Sequence, residues 1–413
     1  AYLGVVGVLN DMPITNGYVL DIGGGSAQTS EIRTGQFHRG QSFTLGALAL
    51  TESFVNSDPI KTTEFKTVQE EIDCQLDTAF WTKKIHASTL IGLGGTIRNL
   101  ARIACLRQNY PLNTLHGVRL SRKDLSITID QLRHMSLSQR KKIPGLNEDR
   151  ADIILPGALV VDAVMDRLNV TDIAIGTSGL REGVFFEQFW QHLSNPIIPD
   201  PKRFGVLNLA RNYNYHKTHA NHVRYLCNRL FNQLTPLHNY GLPELELLNA
   251  AAILHDVGNI IGYDDHHKHA QTLIHYNGLP GFTPREIALI ALLARYHRRG
   301  KPDISDYKQL LTANDLKCLT CLSAILRLSE YLERGRNSAI DDISVTWTDD
   351  ALHLTLIADN YPAVELWEAE HHAVPLTEQT FNRKVYLNSL AAPGPWAELK
   401  EADQSTPEHS NSE

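Results

Sequence analysis

The pattern of apolar and polar positions divides the chain into a mixed first part and a helical second part. Up to about residue 190, short apolar or alternating runs typical of strands interchange with runs of helical period. The predicted strands are 18–22, 27–32, 41–44, 88–95 and 172–179, and the predicted helices are 62–84, 96–106, 150–168 and 180–190. Such an interchange predicts an α/β domain.

Beyond this region a stretch with three prolines, NPIIPDPKR, breaks the pattern and predicts a linker. The helical period then dominates until the chain alternates again on both sides of a turn at Asp349–Asp350, as in a β-hairpin. The last residues are polar and contain prolines, which predicts disorder. The predicted organisation is an α/β domain at 1–194, a linker at 195–203, an all-α domain at 204–339, a small α+β domain at 340–390 and a disordered tail at 391–413.

Composition narrows the functional classes. The chain has 413 residues, 42% hydrophobic residues and a formal net charge of −7, so no overall basic field attracts nucleic acid. No apolar run reaches the roughly 18 residues that span a bilayer. Five scattered cysteines suit a reducing compartment, and we expect a cytoplasmic protein without a membrane partner. Cys318 and Cys321 form a CxxC that is either part of a buried helix or a metal or redox site.

A first glycine motif, VLDIGGGSAQTSEI, lies between two predicted strands. Successive glycines allow neighbouring backbone N–H groups to point into one concavity that binds an anion. Ser26 adds a hydroxyl donor, and Asp21 at the end of the first strand can hold a metal ion or a water beside a bound phosphate. The alternative is a glycine-rich hairpin that binds nothing. Neither of the common nucleotide-binding loops is present in this motif.

A second glycine motif, GLGGTIRN, lies where a predicted strand meets a predicted helix. Gly94, Gly95 and Thr96 stand at the helix start, where free N–H groups and the helix dipole favour an anion. Thr96 is the predicted N-cap. Arg98, one turn further on, can add positive charge. Two phosphate-type turns in one α/β domain favour a phosphate ligand over a bare hairpin.

Histidines are concentrated in the predicted helical domain. His216, His219 and His222 follow a spacing of three, and a His255–Asp256 pair comes later. Imidazole and carboxylate groups of this kind can surround a divalent cation, although each histidine can equally be a core or surface residue, and the set can be a marker of fold alone. Five cationic or titratable side chains lie close together in the stretch ARYHRRGKP and could face a polyanion. They are Arg295, His297, Arg298, Arg299 and Lys301.

Taken in order, these stretches resemble the exopolyphosphatase/guanosine pentaphosphate phosphohydrolase (Ppx/GppA) family of the actin-like superfamily. The supporting stretches, which reach from residue 1 to roughly 390, are YVLDIGGGSAQTSEI, IGLGGTIRNLARI, GTSGLREGVFFE, HANHV, LHDVGNIIGYDDHHKHA and LARYHRRGKP. The fold implied by the resemblance is α/β (an actin-like, ribonuclease H-like subdomain), followed by an all-α HD domain and a small α+β C-terminal domain.

The resemblance implies a phosphoric anhydride hydrolase that uses Mg²⁺ and releases terminal phosphate from inorganic polyphosphate or guanosine pentaphosphate. Asp21 matches the catalytic, metal-associated acid, and Gln28 stands at the second catalytic position. The phosphate-binding residues that it implies are Gly23, Gly24, Gly25, Ser26, Gly94, Gly95, Thr96 and Arg98. Polyphosphate would continue toward Arg295, His297, Arg298, Arg299 and Lys301, and a homodimer is implied. A metal site at His219, His255 and Asp256 is a weaker implication.

The sequence departs from the family pattern in three ways. Gln28 replaces a Glu, and an amide brings neither charge nor a basic group. Glu330 replaces the closing Asp of the HD domain, and Lys268 is expected to crowd that site. The first actin-like subdomain is missing, and the expected catalytic Glu would precede Ala1. We therefore expect the chain as written to lack turnover.

Two alternatives follow from these departures. One is a protein that binds polyphosphate or a guanosine nucleotide without catalysis, which the amide at Gln28 favours. The other is an HD-type metal phosphohydrolase that is centred on the His255–Asp256 pair.

Overall fold

The computed structural model describes residues 1–79, 89–193 and 195–392. The chain forms two compact units: the first unit is Ala1–Gly205 with Gly278–Pro284, and the second unit is Val206–Asn277 with the chain from Arg285 onward. Predictions for residues 80–88, 194 and 393–413, which include nearly all of the predicted tail, lie outside the described residues.

The first unit is built on one mixed sheet. Its strands are β1 (Gly17–Ile22), β2 (Ala27–Arg33), β3 (Gln36–Phe43), β4 (Leu90–Leu93), β5 (Arg119–Ser121) and β6 (Asp172–Ile175). They lie in the order β3-β2-β1-β4-β6-β5, and the central strands β1, β4 and β6 run parallel to one another. The carboxyl ends of these three strands therefore meet at one edge of the sheet.

Helices cover both faces of this sheet. They are α1 (Tyr2–Asp11), α2 (Ala47–Phe54), α3 (Thr62–Leu76), α4 (Gly95–Arg107), α5 (Arg122–His134), α6 (Leu137–Arg140), α7 (Ile154–Arg167) and α8 (Leu180–Phe189). Alternation along β1 places Leu20 in the larger core with α3, α4 and α7, and Val19 in the smaller core with Val5 and Leu9 of α1. This two-sided burial explains why the central strands read as continuous apolar runs.

The second unit begins with helices and ends with a small sheet. Its elements are α9 (Pro201–Asn212, which crosses the boundary), α10 (Lys217–His238), α11 (Leu242–Leu254), α12 (His266–Asn277), α13 (Pro284–Tyr296), α14 (Ala313–Tyr331), β7 (Asp342–Trp347), β8 (Ala351–Ile357), α15 (Ala363–His372), α16 (Val374–Phe381) and β9 (Lys384–Ser389). The predicted hairpin is confirmed, since β7 and β8 pair antiparallel. β9 adds to β8 in parallel.

The prediction of a mixed α/β part followed by a helical part is confirmed, but several local predictions are wrong. The third strand begins at Gln36 rather than at residue 41, and α2, α5 and β5 were not predicted. The predicted linker 195–203 overlaps α9, because Pro201 is tolerated in the first helical turn. The N-cap of α4 is Gly94, so Thr96 lies inside the first turn.

The cysteine pair belongs to a buried helix. Cys318 and Cys321 are free thiols on α14, and burial raises the pKa of both to about 12. Because the thiolate is the form that binds metals and attacks electrophiles, the buried-helix alternative fits better than the metal or redox one. Within the described ranges, no helix is both long enough and apolar enough to span a membrane.

Candidate functional site

Two glycine turns lie side by side at the carboxyl edge of the first unit's sheet. The first turn follows β1 and the second follows β4, its parallel neighbour. Asp21 near the end of β1 pairs with Leu93 of β4 on one side and with Gln28 of β2 on the other. The register therefore places the acid between the two turns and beside the amide side chain.

The first turn, Gly23–Ser26, directs its carbonyl groups toward the start of α2. The amides of Ala47, Leu48 and Ala49 donate to the oxygens of Gly23 and Gly24 at 2.9–3.1 Å. The amides of Gly24, Gly25 and Ser26 have no acceptor among the described residues, and the three glycines are exposed. A row of such free N–H groups is an anion-binding concavity.

This position of the first turn depends on Gly46, which precedes α2. A Cβ added there would lie 2.1 Å from the Gly24 oxygen and 2.3 Å from the Gly25 carbonyl carbon. A Cβ added at Gly25 would meet no atom within 4 Å. The side of the turn that faces Gly46 is therefore tightly packed, whereas the side at Gly25 is open.

The second turn begins α4. Gly94 has a φ of 95°, and a Cβ there would lie 2.4 Å from the Ile22 oxygen and 3.1 Å from Asp21 Oδ1. Only glycine suits this conformation and this approach. The first amides of α4 have no intrahelical acceptor, so the helix start favours an anion. Thr96 is buried, and its side chain packs against Gly157 of α7. An anion at this turn could therefore contact its backbone amide but not its hydroxyl.

Two arginines bring positive charge to the second turn. Arg98 is close enough to act electrostatically on Asp21. The Arg150 guanidinium lies against Gly95, where an added Cβ would be 2.3 Å from its Cζ. Asn99 fixes the loop that carries Arg150, because its Oδ1 accepts from the Asn147 amide at 2.7 Å. Arg150 was not predicted, because it lies in no recognisable motif.

Asp21 and Gln28 offer oxygen atoms to a cation. Burial raises the pKa of Asp21, and positive charge that includes Arg98 partly opposes this shift. In the described part of the chain, no hydrogen bond engages the side chain of Asp21 or Gln28. Carboxylate and amide oxygens are suitable ligands for Mg²⁺, which usually also keeps several waters and binds substrate phosphate. The residues present therefore fit the implied metal.

The turn after β6 has a different character, because its polar groups are already engaged. Asp11 accepts hydrogen bonds from the Thr177 hydroxyl at 2.8 Å and the Ser178 amide at 3.2 Å. His116 Nδ1 lies 3.2 Å from the same carboxylate. Burial raises the pKa of Asp11, but these donors outweigh that effect and hold it below its ordinary value. This turn is a structural junction.

The second unit contains a buried cluster of histidines and carboxylates. His219 of α10, His255 and Asp256 at the end of α11 and Glu330 of α14 are all at most 7% exposed. Nε2 of both His219 and His255 lies 3.1 Å from Glu330 Oε2. The predicted metal residues and the predicted closing acid thus lie together. His216, by contrast, caps α10 by accepting from the His219 amide.

Two more histidines and an arginine complete this cluster. His266 Nε2 lies 3.3 Å from Asp256 Oδ1 and 3.2 Å from His297 Nε2. Arg336 Nη2 lies 2.5 Å from Asp256 Oδ2. The prediction that His297 lines a polyphosphate channel is wrong, because this side chain is 1% exposed and faces the cluster. Lys268 does not crowd the site, since it is exposed and binds Asp265.

The carboxylates and histidines strongly affect one another. Burial would lower the pKa of His219, but Glu330 and Glu333 raise it to about 9. Burial would raise the pKa of Glu330, but His255 and His219 hold it well below its ordinary value. Burial lowers the pKa of His297 to about 3. The cluster is therefore a charged site whose stability depends on the partners inside it.

The predicted cationic set is divided between separate places in the second unit. Arg298 and Arg299 line a pocket of about 470 Å³ that also includes Arg327, Arg334 and Tyr331. The remaining members lie elsewhere: Arg295 lines a different pocket of about 350 Å³, and Lys301 is exposed and lines neither. The first pocket is the more cationic of the two.

Comparison with known families gives the assignment. Residues 1–192 match the model of the Ppx/GppA phosphatase family, and residues 202–378 match the model of Ppx/GppA phosphatase, domain III. The chain belongs to the Ppx/GppA phosphatase family. The predicted family is thus confirmed, and the family is one of phosphatases.

Individual Ppx/GppA relatives are distant. The chain is 25% identical over 352 residues to a guanosine-5'-triphosphate,3'-diphosphate pyrophosphatase from Pseudoalteromonas translucida. The aligned region is 83% of this chain and 68% of that protein. A Ppx/GppA family member from Aquifex aeolicus is similar at 26% identity and a TM-score of 0.42, over 46% of this chain and 62% of that one. An exopolyphosphatase from Cytophaga hutchinsonii gives 25% identity, a TM-score of 0.42 and the same coverage. The chain therefore spans under two thirds of these solved structures.

Proposed function

We propose that this Ppx/GppA chain binds the terminal phosphate of inorganic polyphosphate or guanosine pentaphosphate and releases it by hydrolysis in the cytoplasm. The observation that carries the proposal is the pair of glycine turns at the carboxyl ends of adjacent parallel strands, with Asp21 between them. Both substrates end in a phosphoanhydride, so the same turns serve either one.

The two turns hold the phosphate through the backbone. Free amides of Gly24, Gly25 and Ser26 donate to phosphate oxygens from one side, and the start of α4 donates from the other. Arg98 and Arg150 supply charge next to these amides. Donors fixed in advance toward the developing charge are an effective means of stabilising a phosphoryl transition state.

Asp21 and Gln28 would hold Mg²⁺ at the edge of this concavity. When bound, the ion neutralises phosphate charge and polarises the phosphoryl group. Gln28 contributes an amide oxygen without negative charge, so the protein side of this metal site carries one carboxylate from Asp21. The amide also cannot take a proton from the attacking water, which leaves its role as positioning.

The amide at Gln28 supports a second candidate, a protein that binds polyphosphate without hydrolysing it. The two candidates share the same concavity and differ only in turnover. In both, the arginine pocket of the second unit, at Arg298 and Arg299, is a separate surface whose charge suits polyphosphate. Attraction of this kind weakens as salt rises.

Phosphate release and binding by the full chain test the proposal together. Any phosphate release from polyphosphate or guanosine pentaphosphate should depend on Mg²⁺ and should fall at least about tenfold in Asp21→Asn, because the metal loses its charged ligand. Asp130→Asn, an exposed acid on α5, is the matched control and should change nothing. Binding without release, weakened by Asp21→Asn, would establish the binder instead. Absence of binding to either polyphosphate or guanosine pentaphosphate would reject both candidates.

A further inference from the structure

The arginine pocket of the second unit contains a buried cation that no carboxylate balances. Arg327 is 6% exposed, and its Nε and Nη2 donate to the oxygens of Tyr296 and Gly300 at 2.7–3.1 Å. These carbonyl groups fix the guanidinium but carry no charge. Nη1 has no acceptor among the described residues, and burial lowers the pKa of Arg327. A buried charge without a counter-ion is unfavourable, so this guanidinium suits an anion.

Arg298 is a second cation of this pocket without an acidic partner in the part of the chain that the structure describes. Its Cζ lies 5.6 Å from the centre of the Tyr263 ring, and its backbone oxygen accepts from the Tyr331 hydroxyl at 3.0 Å. Burial raises the pKa of Tyr331, and the positive charges of Arg298, Arg334 and Arg327 oppose this shift. The three guanidinium groups therefore converge near one tyrosine.

The other two arginines of the pocket already face carboxylates. Arg299 Nη2 lies 2.8 Å from Asp265 Oδ1, and Arg334 Nε lies 3.9 Å from Glu368 Oε2. Two guanidinium groups are therefore left without a counter-ion in the described structure. A phosphate monoester carries a charge of about −1.5 to −2 at pH 7, so a single phosphate would balance them.

The rest of the lining suits the organic part of a small molecule better than an extended phosphate chain. The rings of Tyr331 and His372 stack with their centroids 5.1 Å apart, and Pro375 and Leu376 add apolar surface. Glu368 also lines the pocket. Its carboxylate would repel a phosphate chain, but it accepts hydrogen bonds from neutral N–H and O–H groups. A base and a ribose carry such donors together with a face that stacks on aromatic rings.

We propose that the arginine pocket binds a nucleoside monophosphate or diphosphate, with the terminal phosphate at Arg298 and Arg327. The base and ribose would contact Tyr331 and His372, with their donors directed to Glu368. The volume of about 470 Å³ is within the usual range of small-molecule pockets. This pocket recognises its ligand through side chains of the second unit, so it is distinct from the glycine turns. It holds whether or not the proposed hydrolysis occurs.

Isothermal titration calorimetry of the full chain without Mg²⁺ measures the proposal directly. ADP or GDP should bind at about one equivalent per chain, and more tightly than inorganic phosphate or tripolyphosphate. Arg298→Gln should weaken this binding at least about tenfold, because a charged contact with phosphate is lost. Arg299→Gln is the matched control: it removes an arginine of the same pocket whose charge Asp265 already balances, and binding should change less than about twofold.

Two further variants separate a nucleotide from a phosphate chain and the pocket from the first unit. Glu368→Ala removes both the acceptor for the nucleoside and the charge that repels phosphate. The affinity for ADP or GDP relative to tripolyphosphate should therefore fall at least about fivefold. Gly25→Ala should leave nucleotide binding without Mg²⁺ unchanged, because it alters only the first unit. Circular dichroism checks that each variant is folded.

Three results would overturn the proposal. The first is an absence of saturable binding of both ADP and GDP to the wild type. The second is nucleotide binding that folded Arg298→Gln leaves unchanged or that Gly25→Ala weakens equally, since the ligand then binds elsewhere. The third is tighter binding of tripolyphosphate than of either nucleotide to the wild type, which would mean a site for phosphate chains.

Discussion

The sheet edge of the first unit and the cluster of the second unit use opposite chemistry. At the sheet edge the glycines are exposed, and what they offer is backbone N–H groups that suit an anion. In the cluster the side chains are buried and offer lone pairs and carboxylates that suit cations. One site depends on the path of the main chain, whereas the other depends on which side chains meet.

This difference decides which substitutions each region tolerates. A backbone site is sensitive to any atom that displaces the turn, even a methyl group, and indifferent to many side-chain changes around it. A side-chain site is sensitive to the loss of one charge and is stabilised by its ligand.

Gly46→Ala should have the largest effect on the first unit. The added Cβ would lie 2.1 Å from the Gly24 oxygen, so the backbone must shift. We expect a loss of about 2–4 kcal/mol in the free energy of unfolding, measured by urea denaturation of the full chain. Gly25→Ala is the control, because a Cβ there meets nothing, and its cost should stay below about 0.5 kcal/mol. Equal losses in the two variants would mean that Gly46 does not hold the turn.

Arg336→Gln should have an intermediate effect whose size depends on metal. The guanidinium contacts Asp256 and is 33% exposed, so its removal should cost the metal-free protein about 1–2 kcal/mol after allowance for solvent. Added Mn²⁺ should restore the unfolding temperature by more than it raises that of the wild type, because the cluster becomes more negative. Arg229→Gln removes a more exposed pair with Asp342 and should cost at most about 1 kcal/mol, without metal dependence. A loss in Arg336→Gln that Mn²⁺ leaves unchanged would count against a cation site.

Asp11→Asn should have the smallest effect, and one that depends on pH. The pKa of Asp11 is lower in the folded protein than its ordinary value, so the ionised carboxylate stabilises the fold. That stabilisation is complete above about pH 4, the unfolded pKa, and disappears as the pH falls through the lower folded pKa. We expect Asp11→Asn to cost about 1 kcal/mol at pH 7 and progressively less below pH 4, by thermal unfolding across pH. If the stability cost of Asp11→Asn increased as the pH fell, the result would contradict a lowered pKa for Asp11.

The sheet edge could be predicted from sequence because its residues are close along the chain. Asp21 and the glycines form one short segment, and a hairpin after β1 automatically places Gln28 opposite Asp21. Parallel pairing of β1 with β4 then follows from the α/β pattern and brings the second turn alongside. Arg150 could not be predicted, because it reaches Gly95 from a loop that has no recognisable sequence motif.

The cluster could be predicted only in part, because its members are far apart in sequence. The His255–Asp256 pair is visible locally, but its contact with Glu330 depends on how α11 and α14 pack. Proximity in sequence groups His297 with the neighbouring arginines as a polyanion contact, yet its ring is buried just after the end of α13, while Arg298 lines a pocket. Sequence alone does not show which face of α13 is buried when cationic and titratable residues are adjacent at its end.

The start of α5 does have a local signal in the sequence. Ser121 and Asp124 stand in the spacing of an N-terminal cap, and the Ser121 hydroxyl does accept from the Asp124 amide. By contrast, the position of Gly46 against the first turn has no local signal, because the contact is made between backbone atoms of two segments.

The affinity of polyphosphate for the full chain tests most directly whether phosphate binds the backbone turns rather than the cluster. Fluorescence anisotropy with a labelled polyphosphate can compare the wild type with Gly25→Ala and Asp256→Asn at fixed salt and Mg²⁺. We predict at least about fivefold weaker binding in Gly25→Ala, whose methyl group enters the concavity, and unchanged binding in Asp256→Asn. Unchanged binding in Gly25→Ala together with a loss in folded Asp256→Asn would contradict the account.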